Sequence, residues 1–107
     1  MRGKERPANE DPLTHLARLR RELPPDERAA YDERILAMRT VLELAERRRG
    51  QGLSQQQVAK RMDVSQPVIA RLEKPLESSW RQPSLSVLSR YAAALGLTLE
   101  VRVRRAA

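Results

Sequence analysis

Apolar residues recur along this 107-residue chain at steps of three and four as far as Leu95, and beyond Gly96 the step changes to two. Leu13, Leu16, Leu19 and Leu23 share one helical face. Asp11 and Pro12 before them form an N-cap followed by proline at the first helical position. Pro24-Pro25 stops the run. The spacing therefore predicts a short amphipathic helix. A longer helix is expected from near Asp26 to about Arg49. Its stripe is Ile35, Met38, Leu42 and Ala45, widened by Val41 and Leu44. Gly50 and Gly52 end it, and Arg47, Arg48 and Arg49 in its last turn suit the helix dipole.

Residues 52–73, GLSQQQVAKRMDVSQPVIARLE, hold two brief helices in quick succession. Ser54 with Gln57 makes a capping box, opening a helix to Met62. Asp63-Val64 turns the chain. Ser65 then caps a second helix to roughly Lys74, with Pro67 tolerated in its first turn. Ala59 is small where the two helices cross, Val64 is apolar in the turn, and Ile69 and Leu72 anchor the second helix. A polar loop between two prolines follows. Ser84 caps a last helix with inner face Leu85, Leu88, Ala92 and Leu95, and Gly96 terminates it.

In LTLEVRV the residues Leu97, Leu99, Val101 and Val103 alternate with Thr98, Glu100 and Arg102, the pattern of a half-buried strand. No second strand precedes it. A lone strand leaves both backbone edges unpaired, so the expected partner is the same strand of a second copy, antiparallel about a two-fold axis. A homodimer is predicted, with Leu97, Leu99, Val101 and Val103 as its dimerisation residues.

Charge adds a partner to this picture. The net charge is +7, and it is unevenly placed: residues 1–30 hold 7 basic and 6 acidic side chains, residues 31–107 hold 14 and 8. A basic excess on the part with folding signals favours polyanions, mainly nucleic acid. Composition removes other classes. With no cysteine there are no disulfides or thiolate metal sites, and His15 is alone, so no metal or other cofactor is expected. The N-terminal residues 1–11 are mixed in charge and read as a disordered tail without a signal core. No run reaches a membrane span, so a soluble, cytoplasmic protein is expected. A phosphate-cradling glycine loop and a concave apolar pocket are both lacking in the pattern, so no catalytic residues are assigned and no enzyme is expected.

The second helix of the pair carries more polar side chains than a core needs. Gln66, Pro67, Val68, Ala70 and Arg71 point outward. Glutamine pairs bidentately with the N6/N7 edge of adenine, arginine with guanine O6/N7, and apolar groups touch a thymine methyl. Gln66, Pro67, Val68 and Arg71 are therefore the candidate base readers in a major groove. The preceding helix would cross the backbone, with Ser54, Gln55, Gln56, Ser65 and Lys74 as phosphate candidates.

Residues 44–95 resemble the helix-turn-helix of the phage-repressor class, the XRE/Cro-like family. The resemblance rests on GLSQQQVAKRM, the turn DVS, SQPVIARLE and PSLSVLSRYAAALG. It implies a pair between Arg48 and Glu73, Gln55 as the family's first-turn glutamine, and phosphate contacts from the loop after Glu73, at Ser79 and Arg81 among others. Asp63 stands at the turn position often taken by glycine, and the loop carrying Trp80 is longer than is common. With its N-terminal helix and terminal strand, the chain is similar to HigA-like antitoxins. That implies repression of its own operon and neutralisation of a RelE-like toxin. HipB-like antitoxins, partners of a kinase-like toxin, also combine these parts.

The expectation is thus a mainly α, phage-repressor-like bundle: tail 1–11, N-terminal amphipathic helix 12–25, and a DNA-binding domain 26–107 with its dimerisation strand at 97–103. Its partners are a palindromic double-stranded operator, a second copy and a cognate toxin, with no membrane. Leu13, Leu16, Leu19 and Leu23 are the toxin-binding candidates; packing on their own domain or on the dimer mate explains them equally well. A stand-alone XRE-family repressor is the alternative, and an adaptor that no longer meets DNA is a third reading. Arg47 and Arg49 serve the dipole or a phosphate. Lys60 and Arg61 read as a solvated face. Trp80 is expected to pin its loop to the core.

Overall fold

The computed structural model describes residues 7–105. Five helices follow in order: α1 (Pro12–Glu22), α2 (Pro25–Gly50), α3 (Gln55–Met62), α4 (Gln66–Leu72) and α5 (Leu85–Ala94). The chain divides into two compact units, residues 1–35 and 36–107.

In the first unit, Asp11 caps α1 by accepting from the Leu13 amide, with Pro12 at the first helical position. The terminal segment 1–11 was expected to be disordered; residues 1–6 lie outside the described residues. From Pro7 onward the segment is tied down. The Glu10 amide donates to Pro7 O at 3.0 Å, and the Glu10 carboxylate accepts from Arg18 Nη2 at 3.2 Å. Arg20 meets Asp32 through two hydrogen bonds of 2.6 and 2.7 Å. At the C-terminal end of α1, where helical carbonyls run out of intrahelical donors, Arg28 donates to the carbonyls of Arg20, Arg21 and the C-cap Leu23; the Arg20 carbonyl also accepts from the Leu23 amide at 3.2 Å. Helix α1 buries none of its residues.

The second unit is built on aliphatic packing. Its core joins Val41 and Leu44 of α2, Val58, Ala59 and Met62 of α3, Ile69 and Leu72 of α4, and Leu88, Tyr91, Ala92 and Leu95 of and beside α5. Two faces differ from the sequence expectation. On α2 the buried positions are Ala37, Val41, Leu44, Ala45 and Arg48, while Leu42 is 45 % exposed. The inward face is the one that contains Arg48, whose partner Glu73 lies inside the unit. On α5 Leu85 is exposed and Tyr91 is fully buried, because a polar group at the core, Glu73, receives its hydroxyl.

Three helix ends in this unit share one design. After α2, α3 and α5 the chain enters the left-handed region at Gly52, Asp63 and Gly96. The next residue then donates its amide back to the fifth residue before it: Leu53 to Arg48, Val64 to Ala59, Leu97 to Ala92. Each of those following residues is apolar and packs against the core, so the turn and the burial reinforce one another. Asp63, at φ 57° and ψ 44°, performs the task glycine performs at the other two ends.

The alternating segment departs from its expected form. Among the described residues there is no strand, and residues 97–105 lie in no regular element. Strand structure requires a hydrogen-bonded neighbour, and a single chain offers this segment none. Leu97 and Leu99 pack against the core, whereas Val101 and Val103 are 56 % and 97 % exposed. No helix among the described residues is long and apolar enough to cross a membrane.

Candidate nucleic-acid interface

The capping box at Ser54 forms as the sequence predicts: Ser54 Oγ accepts from the Gln57 amide at 3.0 Å, and the Ser54 amide donates to Gln57 Oε1 at 2.8 Å. The second cap does not. Ser65 occupies the N-cap position of α4 without a side-chain hydrogen bond. Pro67 removes one of the two amides such a cap would accept from, and the other, on Val68, donates to Ser65 O. The hydroxyl of Ser65 therefore remains on the exposed surface.

Behind α4 lies a buried polar cluster. Arg48 Nε and Nη2 donate to the two Glu73 oxygens at 2.8 and 2.9 Å, and Arg48 Nη1 donates to Leu53 O at 2.8 Å. Tyr91 Oη donates to Glu73 Oε2, and Gln55 Nε2 donates to Oε1 at 2.9 Å. Burial alone would push the Glu73 carboxyl up. The hydrogen bonds from Arg48, Tyr91 and Gln55 outweigh it and hold the group below its ordinary value of 4.5. Burial, followed by the bond to that carboxylate, pushes the Tyr91 phenol well above its ordinary range.

An ionised Glu73 accepts and never donates, so Gln55 must turn its amide nitrogen inward. Its oxygen then faces out and accepts from Gln66 Nε2 at 2.8 Å. This leaves Gln66, on the exposed side of α4, with one free N–H and its carbonyl oxygen. A donor and an acceptor side by side are what the N7 and N6 edge of adenine complements. The charge on a core carboxylate thus fixes the orientation of an amide at the surface through one intervening glutamine.

The other expected base readers, Pro67, Val68 and Arg71, are likewise exposed. Arg71 and Val68 border an open groove of about 420 Å³ between α4 and the following loop, with Lys74, Ser79 and Arg81 on the same groove. That loop is anchored to the core: Trp80 is buried and its indole N–H donates to Leu72 O at 2.9 Å, closing the end of α4. Gln56 stands exposed on α3. Gln55, expected at a phosphate, has both polar ends engaged within the chain and keeps only one amide hydrogen. Arg61, expected to be solvated, donates to Ala94 O at 2.8 Å, and Arg90 of α5 reciprocates to Met62 O at 2.6 Å. Among the described residues, no group of three or more side chains could hold a metal ion.

Two short helices joined through Asp63, the second exposed along one polar face and braced from behind, are matched by the helix-turn-helix family over residues 44–101. The chain belongs to that family. The domain is of the XRE type, that of DNA-binding transcription regulators, which typically lack enzymatic activity. No curated protein and no solved structure shows significant similarity to the chain. The helix-turn-helix match takes in the end of α2 and all of α3, α4 and α5, and leaves residues 1–43 outside it.

Tyr91 is the participant that sequence reasoning missed. It sits three residues after Leu88 and four before Leu95, on the buried face, and that spacing was the available signal.

Proposed function

We propose that this helix-turn-helix protein is a dimeric repressor that reads a palindromic operator in double-stranded DNA. In this reading α4 enters the major groove. Gln66, Pro67, Val68 and Arg71 meet base edges, while Ser54, Gln56, Ser65, Lys74, Ser79, Arg81 and the remaining amide hydrogen of Gln55 meet phosphates. The observation that carries it is the oriented Gln66 amide. A solvated helix face needs no fixed amide, whereas base readout gains from having its donor and acceptor already aimed. Dimerisation through residues 97–103 supplies the second half-site, about 34 Å away on the duplex.

Selection of bound sequences from a random duplex pool, followed by binding at several salt concentrations, tests the proposal. Affinity should fall steeply as salt rises, and the selected site should be a palindrome. Arg71→Ala should cost about 1–3 kcal/mol and relax preference at one position per half-site. A uniform loss across all sequences would make Arg71 a phosphate contact instead. Binding that ignores salt would remove DNA as the partner.

The similarity to HigA-like antitoxins extends this to a protein that also neutralises a RelE-like toxin. One observation favours the extension: α1 carries Leu13 and Leu16 at 74 % and 43 % exposure, with Leu19 and Leu23 half-buried, an apolar face open to a protein partner. Recovery of the tagged protein from its native cells should bring down a small basic protein near one-to-one, and the substitutions Leu13→Asp and Leu16→Asp should abolish that recovery. Recovery of the dimer alone would leave a stand-alone repressor; a kinase-like protein would make it a HipB-like antitoxin.

A further inference from the structure

In an extended strand the alternation after Gly96 would put four apolar residues, Leu97, Leu99, Val101 and Val103, on one side, and of these only Leu97 and Leu99 are covered by their own chain. On its other side Glu100 and Arg102 lie 3.9 Å apart, 80 % and 89 % exposed. We infer that two copies of this segment pair antiparallel in a single register, with Val101 facing the partner's Val101 on the two-fold axis. The inference rests on the dimer reading above and adds the pairing that reading leaves open.

The register follows from face and charge. In an antiparallel pair, directly opposed residues share a face of the sheet, so an axis must pass between two copies of the same residue. Centring the pair on Glu100 places it against the partner's Glu100. A centre at Arg102 opposes two arginines in the same way, and one at Val103 sets Arg102 against the partner's Arg104. Like charges directly opposite destabilise a sheet. Centring it on Leu99 brings Leu97, already committed to the helix end through its bond to Ala92, into the ladder, and leaves Val103 opposite the partner's Leu95.

Val101 alone satisfies every constraint. Glu100 then faces the partner's Arg102, and the symmetry repeats that contact on the other side of the axis. Leu99, anchored on its own core, covers the partner's Val103, the most exposed of the four. An isolated two-stranded ribbon is marginal in water. Here each strand is backed by the core against which Leu97 and Leu99 pack, which is the support such a ribbon needs.

The natural chain contains no cysteine, so a single introduced thiol reports on one position without background. Val101→Cys in the full chain should yield a disulfide-linked dimer on mild oxidation, since opposed residues bring their Cα atoms to about 4.5–5.5 Å. Val101 is exposed in the single chain, so the substitution leaves the fold intact. Glu100→Cys or Arg102→Cys should cross-link more slowly. If either were faster than Val101→Cys, the register would be overturned with the dimer retained. Charge reversal gives a second reading: Glu100→Arg and Arg102→Glu should each weaken self-association about tenfold, and the two together should restore it. No effect from either single change would also overturn the register. A wild-type chain that stays monomeric in light scattering at micromolar concentration overturns the dimer reading itself.

Discussion

Residues 7–35 and residues 36–105 are both helical, and they are held by different forces. Among the described residues, every buried hydrophobic one, from Ala37 to Leu95, lies in the second unit, and the first unit has none. Its α1 has a clean helical period of leucines, yet the contacts that order it are charged: Arg20 on Asp32, Arg18 on Glu10, and Arg28 on the last carbonyls of α1. Amphipathic spacing predicts a helix well, and it does not by itself predict burial. Burial needs a surface to receive the face, and in the second unit the helices provide one another with such surfaces.

The contrast sets the order of expected effects. Ile69→Ala empties a fully buried site and should cost about 3–4 kcal/mol in chemical denaturation. A loss well under 1 kcal/mol would mean the second unit is not held by its core. Glu73→Ala should follow at about 3 kcal/mol, because it leaves the Arg48 guanidinium buried and unpaired. It should also release Gln55 and Gln66, so sequence preference should broaden along with the loss of stability. If specificity were unchanged in the folded variant, the link between core charge and surface amide would be broken.

Acid should expose the same difference. The folded value of Glu73 lies below 4.5, so its contribution is complete above that value and is lost as pH falls through the folded one. Denaturation midpoints recorded from pH 6 downward should therefore hold steady to about the ordinary carboxylate range and then drop. Glu73→Gln should flatten that drop.

Two smaller changes sharpen the comparison. Asp63→Gly should raise stability by about 0.5 kcal/mol, since glycine enters the left-handed region without the cost an aspartate bears. Asp32→Ala should leave the global midpoint where it is and speed hydrogen exchange in α1 alone; molar salt should act similarly, because exposed ion pairs are screened. Loss of global stability from Asp32→Ala would show that the first unit contributes more than its surface contacts indicate.

Much of this molecule was legible from local rules. The capping box at Ser54, proline at the start of α1, and the turn-then-apolar pairs Gly52-Leu53, Asp63-Val64 and Gly96-Leu97 are set by residues within one turn of each other. Such local signals, with the helical spacing of the apolar residues, were enough to expect five helices in this order. The positions that stood outward on α4 were also readable, because Ile69 and Leu72 could only serve the core. Less legible was which side of α2 and α5 would turn inward. Leu42 and Leu85 are as apolar as the residues that were buried instead. Arg48 and Tyr91 turned those faces inward, as both reach the same carboxylate from different helices.

The sequence by itself determined where each helix begins and ends, the basic character of the second unit, and the two-residue period after Gly96, since these depend on neighbours along the chain. The tertiary structure alone decided three things: that Gln55 points back to Glu73, that Gln66 is thereby oriented, and that the alternating segment remains without a ladder in one copy. Each depends on groups far apart in sequence, Arg48, Gln55, Glu73 and Tyr91 in the first two cases. In the third it depends on a strand partner that the single chain does not contain.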